Sequence, residues 1–391
     1  MHYLMFMERM LRQSYIEEPV RFLFSGTDRI VRRAVLQDIV KRCREKGEPL
    51  YIVDDTDSPS RDDYSVLESM GYRIKNGLSG KYCLFDPFRI NSMTGTRRLR
   101  QLLEVFGYDE MRKAKLLAYF RFLQYLETLG GNTGSEVLSA EMLSEYGTYM
   151  AVEEKIQGLL DAGVINARQQ ISLISKYSEY SAAAADFEDI LLLLLPFIRG
   201  EDIYASAAPD SAFLIPLGKL GRDEAVRKAV LELLQAGMEE RGSEEAAVLV
   251  FDRGYGNRKS VSDFLESLPE NMDVHVLSED IFTLCNDSGR AGVLNRFTAR
   301  VYSRHVDMDS CGKVEKEFGV IDVVHKTYTE SYDRRLRANS PFDILFGKNK
   351  TDIYGYAAPR EEPRYRKEMI ARLEPGSGII SFMGQSSSFN V

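Results

Sequence analysis

VRFLFSGTDRIVRRAVLQDIVKRCREKGEPLYIVDD, Val20–Asp55, is the stretch on which the fold turns. Val20–Phe24 is a short, wholly apolar-rich run that ends at Ser25-Gly26, the pattern of a buried strand meeting a turn. From about Asp28 to Gly47, Ile30, Val31, Val35, Ile39 and Val40 recur at helical spacing, with Arg and Lys between them. Pro49–Asp55 is a second buried strand ending in two carboxylates. Ser60–Met70 then has a helical pattern closed by Gly71, and Tyr72–Gly77 reads as a third strand. Strand, helix, strand, helix, strand is the rhythm of a parallel sheet covered on both faces.

The rhythm changes between about Arg97 and Ile198. Leu102, Leu103, Val105 and Phe106 open a long run of helical spacing with few β-branched clusters, which predicts an all-helical insertion. Over 98–190 there are nine Lys+Arg against fourteen Asp+Glu, so the insertion is net acidic. The α/β pattern resumes with strands at Phe213–Leu217, Ala246–Asp252, "DVHVLS" and Phe297–Ser303, and helices at Asp223–Arg241 and Val261–Leu268. The expected division is therefore a discontinuous α/β domain over 1–96 and 201–391, interrupted by an all-α domain over 97–200. Residues from about Thr327 to Lys367 lack periodicity and read as a long surface loop. Gly378–Met383 reads as a last strand, and "GQSSSFNV" as a loose end.

Composition removes several classes of function. The chain has 391 residues and a net charge of -8, which disfavours a duplex-wrapping protein. Its four cysteines, Cys43, Cys83, Cys285 and Cys311, form no Cys-x-x-Cys pair, and its four histidines are scattered, so zinc motifs are absent and a reducing compartment is expected. The longest apolar run, Ile190–Ile198, is nine residues and contains Pro196, far short of the ~20 needed to span a membrane. The opening "MHYLMFMERMLRQSY" has apolar residues at helical spacing and reads as a helix capping its own sheet. No signal peptide pattern precedes it, so the expected location is cytoplasmic.

A strand, a glycine turn, a helix and a later strand ending in Asp form the layout of a P-loop NTPase. On the pattern Gly-x-x-x-x-Gly-Lys-Ser/Thr the chain supplies Gly26-Thr27-Asp28-Arg29-Ile30-Val31-Arg32-Arg33. The first glycine is kept. Val31 replaces the second, Arg32 the lysine and Arg33 the hydroxyl that binds magnesium. A valine held in a left-handed loop conformation costs roughly 1–2 kcal/mol, Asp28 adds a carboxylate beside the phosphates, and an arginine cannot replace the hydroxyl. Asp252 stands where a Walker B aspartate holds magnesium, but Arg253 follows it in place of the glutamate that polarises water.

The order of segments resembles the type IV coupling proteins, conjugative DNA-pumping ATPases of the TraG/TraD kind, and more distantly the FtsK/HerA-type motors. "PLYIVDDTDS" is similar to their strand ending in Asp-Pro-Lys-Gly. "ESMGYRIKNGLSGKYCLFDPFRI" is similar to their Gly-Tyr-x-Val strand and Asn-Pro-Phe segment, and the helical insertion follows it as their all-α domain does. "FDRGYGNRKSVSDFLESLPENMDVHVLSED", "VEKEFG" and "PRYRKEMIARLEPGSGIISFMG" match later segments in order. The resemblance implies a P-loop NTPase-like (RecA/FtsK-like) α/β fold. It also places Glu279 at the family's sensor glutamine, where a carboxylate facing a triphosphate repels it. Family members usually carry transmembrane helices, and none is legible here.

With Val31, Arg32, Arg33, Arg253 and Glu279 all altered, the leading expectation is a pseudo-ATPase that needs no cofactor. It would be a scaffold or adaptor of a type IV secretion or conjugation system, with protein partners and possible assembly as a homo-oligomer or mixed ring. One alternative is a divergent DNA-translocating ATPase that grips ATP and magnesium through Arg32 and Arg33. Another is a nucleic-acid binder using Arg334, Arg335, Arg337, Arg364, Arg366 and Lys367, which lie among tyrosines in a segment with eleven Lys+Arg against seven Asp+Glu over 325–372.

Overall fold

A computed structural model describes residues 21–56, 61–88, 92–131, 143, 149–221, 223–241, 246–252, 259–284, 290–323, 326–330, 352–356, 360–382 and 385–391. The predicted opening helix, Arg253, Cys285, Arg334, Arg335 and Arg337 lie outside the described residues. The chain forms two compact units, Met1–Ser303 with Pro375–Val391, and Arg304–Glu374.

The first unit opens as the sequence predicts: β1 (Phe22–Ser25), α1 (Arg29–Lys46), β2 (Leu50–Asp54), α2 (Arg61–Ser69) and β3 (Arg73–Asn76). A two-residue strand β4 (Tyr82–Cys83) precedes the helices α3 (Ser92–Val105), α4 (Glu110–Leu129), α5 (Tyr149–Asp161), α6 (Ala167–Glu179) and α7 (Ser181–Ile198). Strand β5 (Glu201–Asp202) follows and pairs in parallel with β4, so the chain enters and leaves the helical stretch at one place. Then come β6 (Ser211–Ile215), α8 (Glu224–Arg241), β7 (Ala247–Asp252), α9 (Lys259–Ser267), β8 (Asp273–Ser278), the short helices α10 (Ile281–Leu284) and α11 (Arg290–Asn295), and β9 (Ala299–Tyr302).

The second unit holds α12 (Met308–Phe318), β10 (Val320–Val323), β11 (Lys326–Glu330), β12 (Asp352–Tyr356), β13 (Arg360–Pro363) and α13 (Lys367–Ala371). The long loop expected over 327–367 is thus corrected in its described parts: β11 pairs antiparallel with β12, and β13 with β10. Strands β14 (Ser377–Phe382) and β15 (Gln385–Asn390) return to the first unit. The loose end expected at "GQSSSFNV" is a strand, because β14 offers it an edge to pair with and Phe389 is buried.

The main sheet runs β15-β14-β9-β1-β8-β7-β2-β6-β3. From β9 to β3 all neighbours are parallel, and β14 and β15 add an antiparallel edge beside β9. Every residue of β1, β2, β7 and β8 is buried, which explains why these strands read as continuous apolar runs. Helix α1 covers one face through Val31, Val35, Leu36, Ile39, Val40 and Cys43. Ile30, expected on that face, is 53% exposed because it sits about 100° around the helix from Val31. Gly47 ends the helix at φ 74°, donating its amide to the Arg44 carbonyl at 3.1 Å.

At the amino ends of the strands lies a buried ionisable cluster. His275 accepts from the Phe22 amide through Nδ1 at 3.3 Å, while its Nε2 lies 3.8 Å from the Cys43 thiol. Lys46 bridges Glu48, at 3.5 Å, and Asp273. Burial lowers the His275 pKa to about 4, and burial, reinforced by Asp273, raises that of Glu48 to about 7. Between pH 6.5 and 4 the folded His275 binds fewer protons than the unfolded one, so acid removes stability. Between pH 7 and 4.5 the folded Glu48 binds more, so acid adds it. The two oppose each other in the native chain. Replacing Glu48→Gln leaves the histidine unopposed: on going from pH 7 to 4.5 the variant loses about 1–2 kcal/mol more stability than the native chain in urea unfolding, solvent screening included. Parallel pH profiles for the two proteins contradict this.

Candidate functional site

The described residues singled out for nucleotide chemistry gather at the carboxyl edge of the parallel sheet, where open α/β sheets place their ligands. Gly26 and Thr27 follow β1, Asp252 ends β7, and Glu279 follows β8. In register, Ser25 faces Ser278, and Ser278 faces Asp252, so β8 stands between the glycine turn and the strand-end aspartate. A cavity of about 600 Å³ opens here, its wall including Gly26, Thr27, Arg32, Arg33 and Glu279.

The connection from β1 to α1 has only three residues, Gly26, Thr27 and Asp28. Val31, Arg32 and Arg33 therefore belong to the first turns of the helix and not to a phosphate-wrapping loop. The strain expected for a left-handed Val31 does not arise, since the residue is helical and fully buried in the core. Gly26 is at φ 140°, and a Cβ there would fall 2.1 Å from the Ser303 hydroxyl, so the turn needs a residue without a side chain. Its amide donates to the Ser278 carbonyl at 3.1 Å and the Asp28 amide to the Ser303 hydroxyl at 3.3 Å, which draws the turn down onto β8 and β9.

Asp28 caps the helix. Its Oδ1 accepts from the amides of Ile30 at 2.8 Å and Val31 at 3.1 Å, and its Oδ2 accepts from the Gly376 amide at 2.8 Å. Free amides at a helix start, with the positive end of the helix dipole behind them, are what a P-loop offers a phosphate. Here an internal carboxylate holds them. Arg32, in the place of the phosphate-binding lysine, is committed as well: it forms a two-pronged pair with Asp63 of α2 at 3.0 Å, donates to the Leu277 carbonyl at 3.2 Å, and lies over the Phe251 ring. With side-chain exposures of 13% and 10%, this pair is screened from water and ties α1 to α2. Arg33 is exposed on the cavity wall.

The strand-end carboxylates are also engaged. Asp252 is buried and accepts from the Ser278 hydroxyl at 2.6 Å, and the Asp252 carbonyl accepts from the Glu279 amide at 3.1 Å. Asp54 accepts from the Thr56 amide at 2.9 Å, the Thr56 hydroxyl at 2.5 Å and the Tyr64 hydroxyl. Burial and Asp54 together push the Tyr64 phenol up, so it serves as a fixed donor. No group of three or more His, Cys, Asp or Glu able to hold a metal ion occurs among the described residues. The sequence marks the Asp28 charge beside the turn but carries no sign of Asp63, Ser303 or Gly376 as partners at this edge. Only the Asp at a helix start carries a local signal; the other three come from distant segments.

Of the residues proposed for nucleic acid, Arg364, Arg366 and Lys367 are described, and they belong to the second unit. Arg366 is exposed and pairs with Glu362 at 2.5 Å; the Arg364 amide donates to the Gly319 carbonyl at 3.0 Å, and the Lys367 amide to Glu315 at 2.6 Å. No helix among the described residues is long and apolar enough to cross a membrane.

If Asp28 holds the turn as described, Asp28→Ala removes two helix-cap bonds and the link to Gly376. The expected loss is about 1–2 kcal/mol in urea unfolding, with Asp28→Ser, which keeps a cap, losing less. Equal stability of Asp28→Ala and the native chain contradicts the assignment.

No protein-family model matches this chain, and no curated protein matches it. Solved structures do. The unbound monoclinic form of the bacterial conjugative coupling protein TrwBΔN70 is 11% identical, over 98% of this chain and 91% of that one, with a TM-score of 0.54. VirB4 of Thermoanaerobacter pseudethanolicus is 11% identical, over 95% and 88%, at 0.54. The plasmid coupling protein TrwB in complex with the GTP analogue GDPNP is 12% identical, over 95% and 85%, at 0.51. The mainly parallel sheet, its helical cover and the helices between β4 and β5 thus form an α/β fold shared with TrwB and VirB4.

Proposed function

We propose that this chain is a non-catalytic, coupling-protein-like scaffold or adaptor of a type IV secretion or conjugation apparatus, working without ATP, magnesium or another cofactor. The observation that carries the reading is the Asp28 carboxylate on the amides of Ile30 and Val31. A triphosphate seated there must displace that carboxylate and pull Arg32 from Asp63, and each exchange costs a charge-assisted hydrogen-bond set already made. The alterations at Arg33, Arg253 and Glu279 point the same way. The apparatus is suggested by the likeness in fold to a conjugative coupling protein and to VirB4. Such a subunit acts through protein partners, either as a homo-oligomer or within a mixed ring beside an active ATPase.

The cavity above Gly26, with Arg29 and Arg33 on its wall, favours a second reading, a divergent ATPase that grips triphosphate through exposed arginines and moves DNA. Titration calorimetry separates the two. With ATP and magnesium in excess of 100 µM, about the scale of a weak metabolite site, the scaffold reading expects no magnesium-dependent heat and no DNA-stimulated phosphate release. A micromolar, magnesium-dependent isotherm removes it, and phosphate release lost in Asp252→Ala establishes the second.

A further inference from the structure

Helix α7 turns an apolar face outward. Its exposed described positions are Ala182, Ala185, Asp189, Leu192, Leu193 and Pro196. At 100° per residue they fall within one arc about 100° wide. The buried positions, among them Phe187, Ile190, Leu191 and Leu194, occupy the opposite arc and pack toward α4. A solvent-facing helix surface ordinarily carries charged and long polar side chains. Here Leu192 is 60% exposed and Leu193 41%, with Asp189 the one charge on the stripe.

Beside this stripe lies a cleft of about 340 Å³ between α7 and the turn joining α3 to α4, walled by Phe106, Tyr108, Arg112, Asp189 and Leu193. Arg112 is taken up by Asp186 at 3.8 Å and by the Tyr108 ring. Asp189 has no ion pair among the described residues. Pro196 has no N–H, so the Leu192 carbonyl lacks the donor that an ordinary residue four positions on would supply. The site therefore presents an apolar stripe, an aromatic-walled recess and, in Asp189, a carboxylate with no ion pair among the described residues. That is the complement of an amphipathic helix with a bulky apolar anchor and a cation.

We infer that this face docks an amphipathic helical segment of a partner protein, which places one large apolar side chain in the cleft, covers Leu192 and Leu193, and sets a Lys or Arg on Asp189. Charge decides the kind of occupant. The surrounding stretch, 98–190, carries fourteen Asp+Glu against nine Lys+Arg, so a second copy of the same face brings acid to acid, whereas a basic segment is attracted. The inference stands whether or not the cavity at Gly26 takes nucleotide, because none of its residues lies there.

The test uses the full chain and fluorescein-labelled 14-residue peptides read by anisotropy. One peptide has leucines at i, i+3 and i+4 spacing and lysines elsewhere; a second has glutamates for the lysines; a third keeps the lysines and replaces the leucines by serine. The lysine–leucine peptide is expected to bind at least about tenfold more tightly than either other. Leu192→Gln with Leu193→Gln weakens it by at least about tenfold, and Asp189→Asn by about threefold, with thermal midpoints within a few degrees of native because all three positions are exposed. Equal binding of the three peptides, or an affinity unchanged in the double leucine variant, overturns the inference. So does a concentration-dependent dimer of the free chain that the double variant abolishes, since it assigns the face to a second copy.

Discussion

A single carboxylate, Asp28, sets the character of the sheet's carboxyl edge. It closes the positive end of α1, satisfies two amides that have no partner within the helix, and reaches across to the Gly376 amide before β14. These contacts join the first strand, the first helix and the final hairpin of the sheet at one point. A helix start ordinarily needs an anion or a cap from somewhere. Because this one is supplied from within the chain, the fold is complete at that point without a ligand.

The rest of the edge follows the same logic. Arg32 carries its positive charge at the position the P-loop pattern gives to lysine, and here Asp63 neutralises it and the Leu277 carbonyl orients it. Asp252 keeps its strand-end place and spends its acceptor on the Ser278 hydroxyl, holding β7 to β8. Ser303 fills the space a Cβ would need at Gly26. Groups at the positions that a P-loop layout assigns to a nucleotide are partners of one another here. Buried polar groups have to be paired, and at this edge the chain itself supplies the partners.

Much of this fold is legible in the sequence because strands buried on both faces announce themselves. Phe22–Ser25, Leu50–Asp54 and Ala247–Asp252 are apolar runs bounded by turns, and the helices between them have their period. What escaped was set by partners distant in sequence. Gln385–Asn390 has four polar residues at its start and no apolar run, and it is a strand only because β14 presents an edge. The eight-residue P-loop pattern spans the three-residue turn before α1 and the helix start alike, and only Asp28, a helix-capping residue type, marks that the helix begins early. Arg32 and Asp63 are thirty-one residues apart, and nothing in either neighbourhood marks them as a pair. Local propensity and pattern reveal elements, while the chemistry of a site depends on which elements meet.

The amides at the start of α1 and the Arg32 guanidinium are already taken by carboxylates of the chain itself. A crystal structure grown with magnesium and a non-hydrolysable ATP analogue tests this most directly. The expected result is an unchanged edge, with Asp28 still on the Ile30 and Val31 amides and Arg32 still on Asp63. A triphosphate oxygen within hydrogen-bond reach of those amides, with Asp28 turned away and a metal ion beside Asp252, contradicts it.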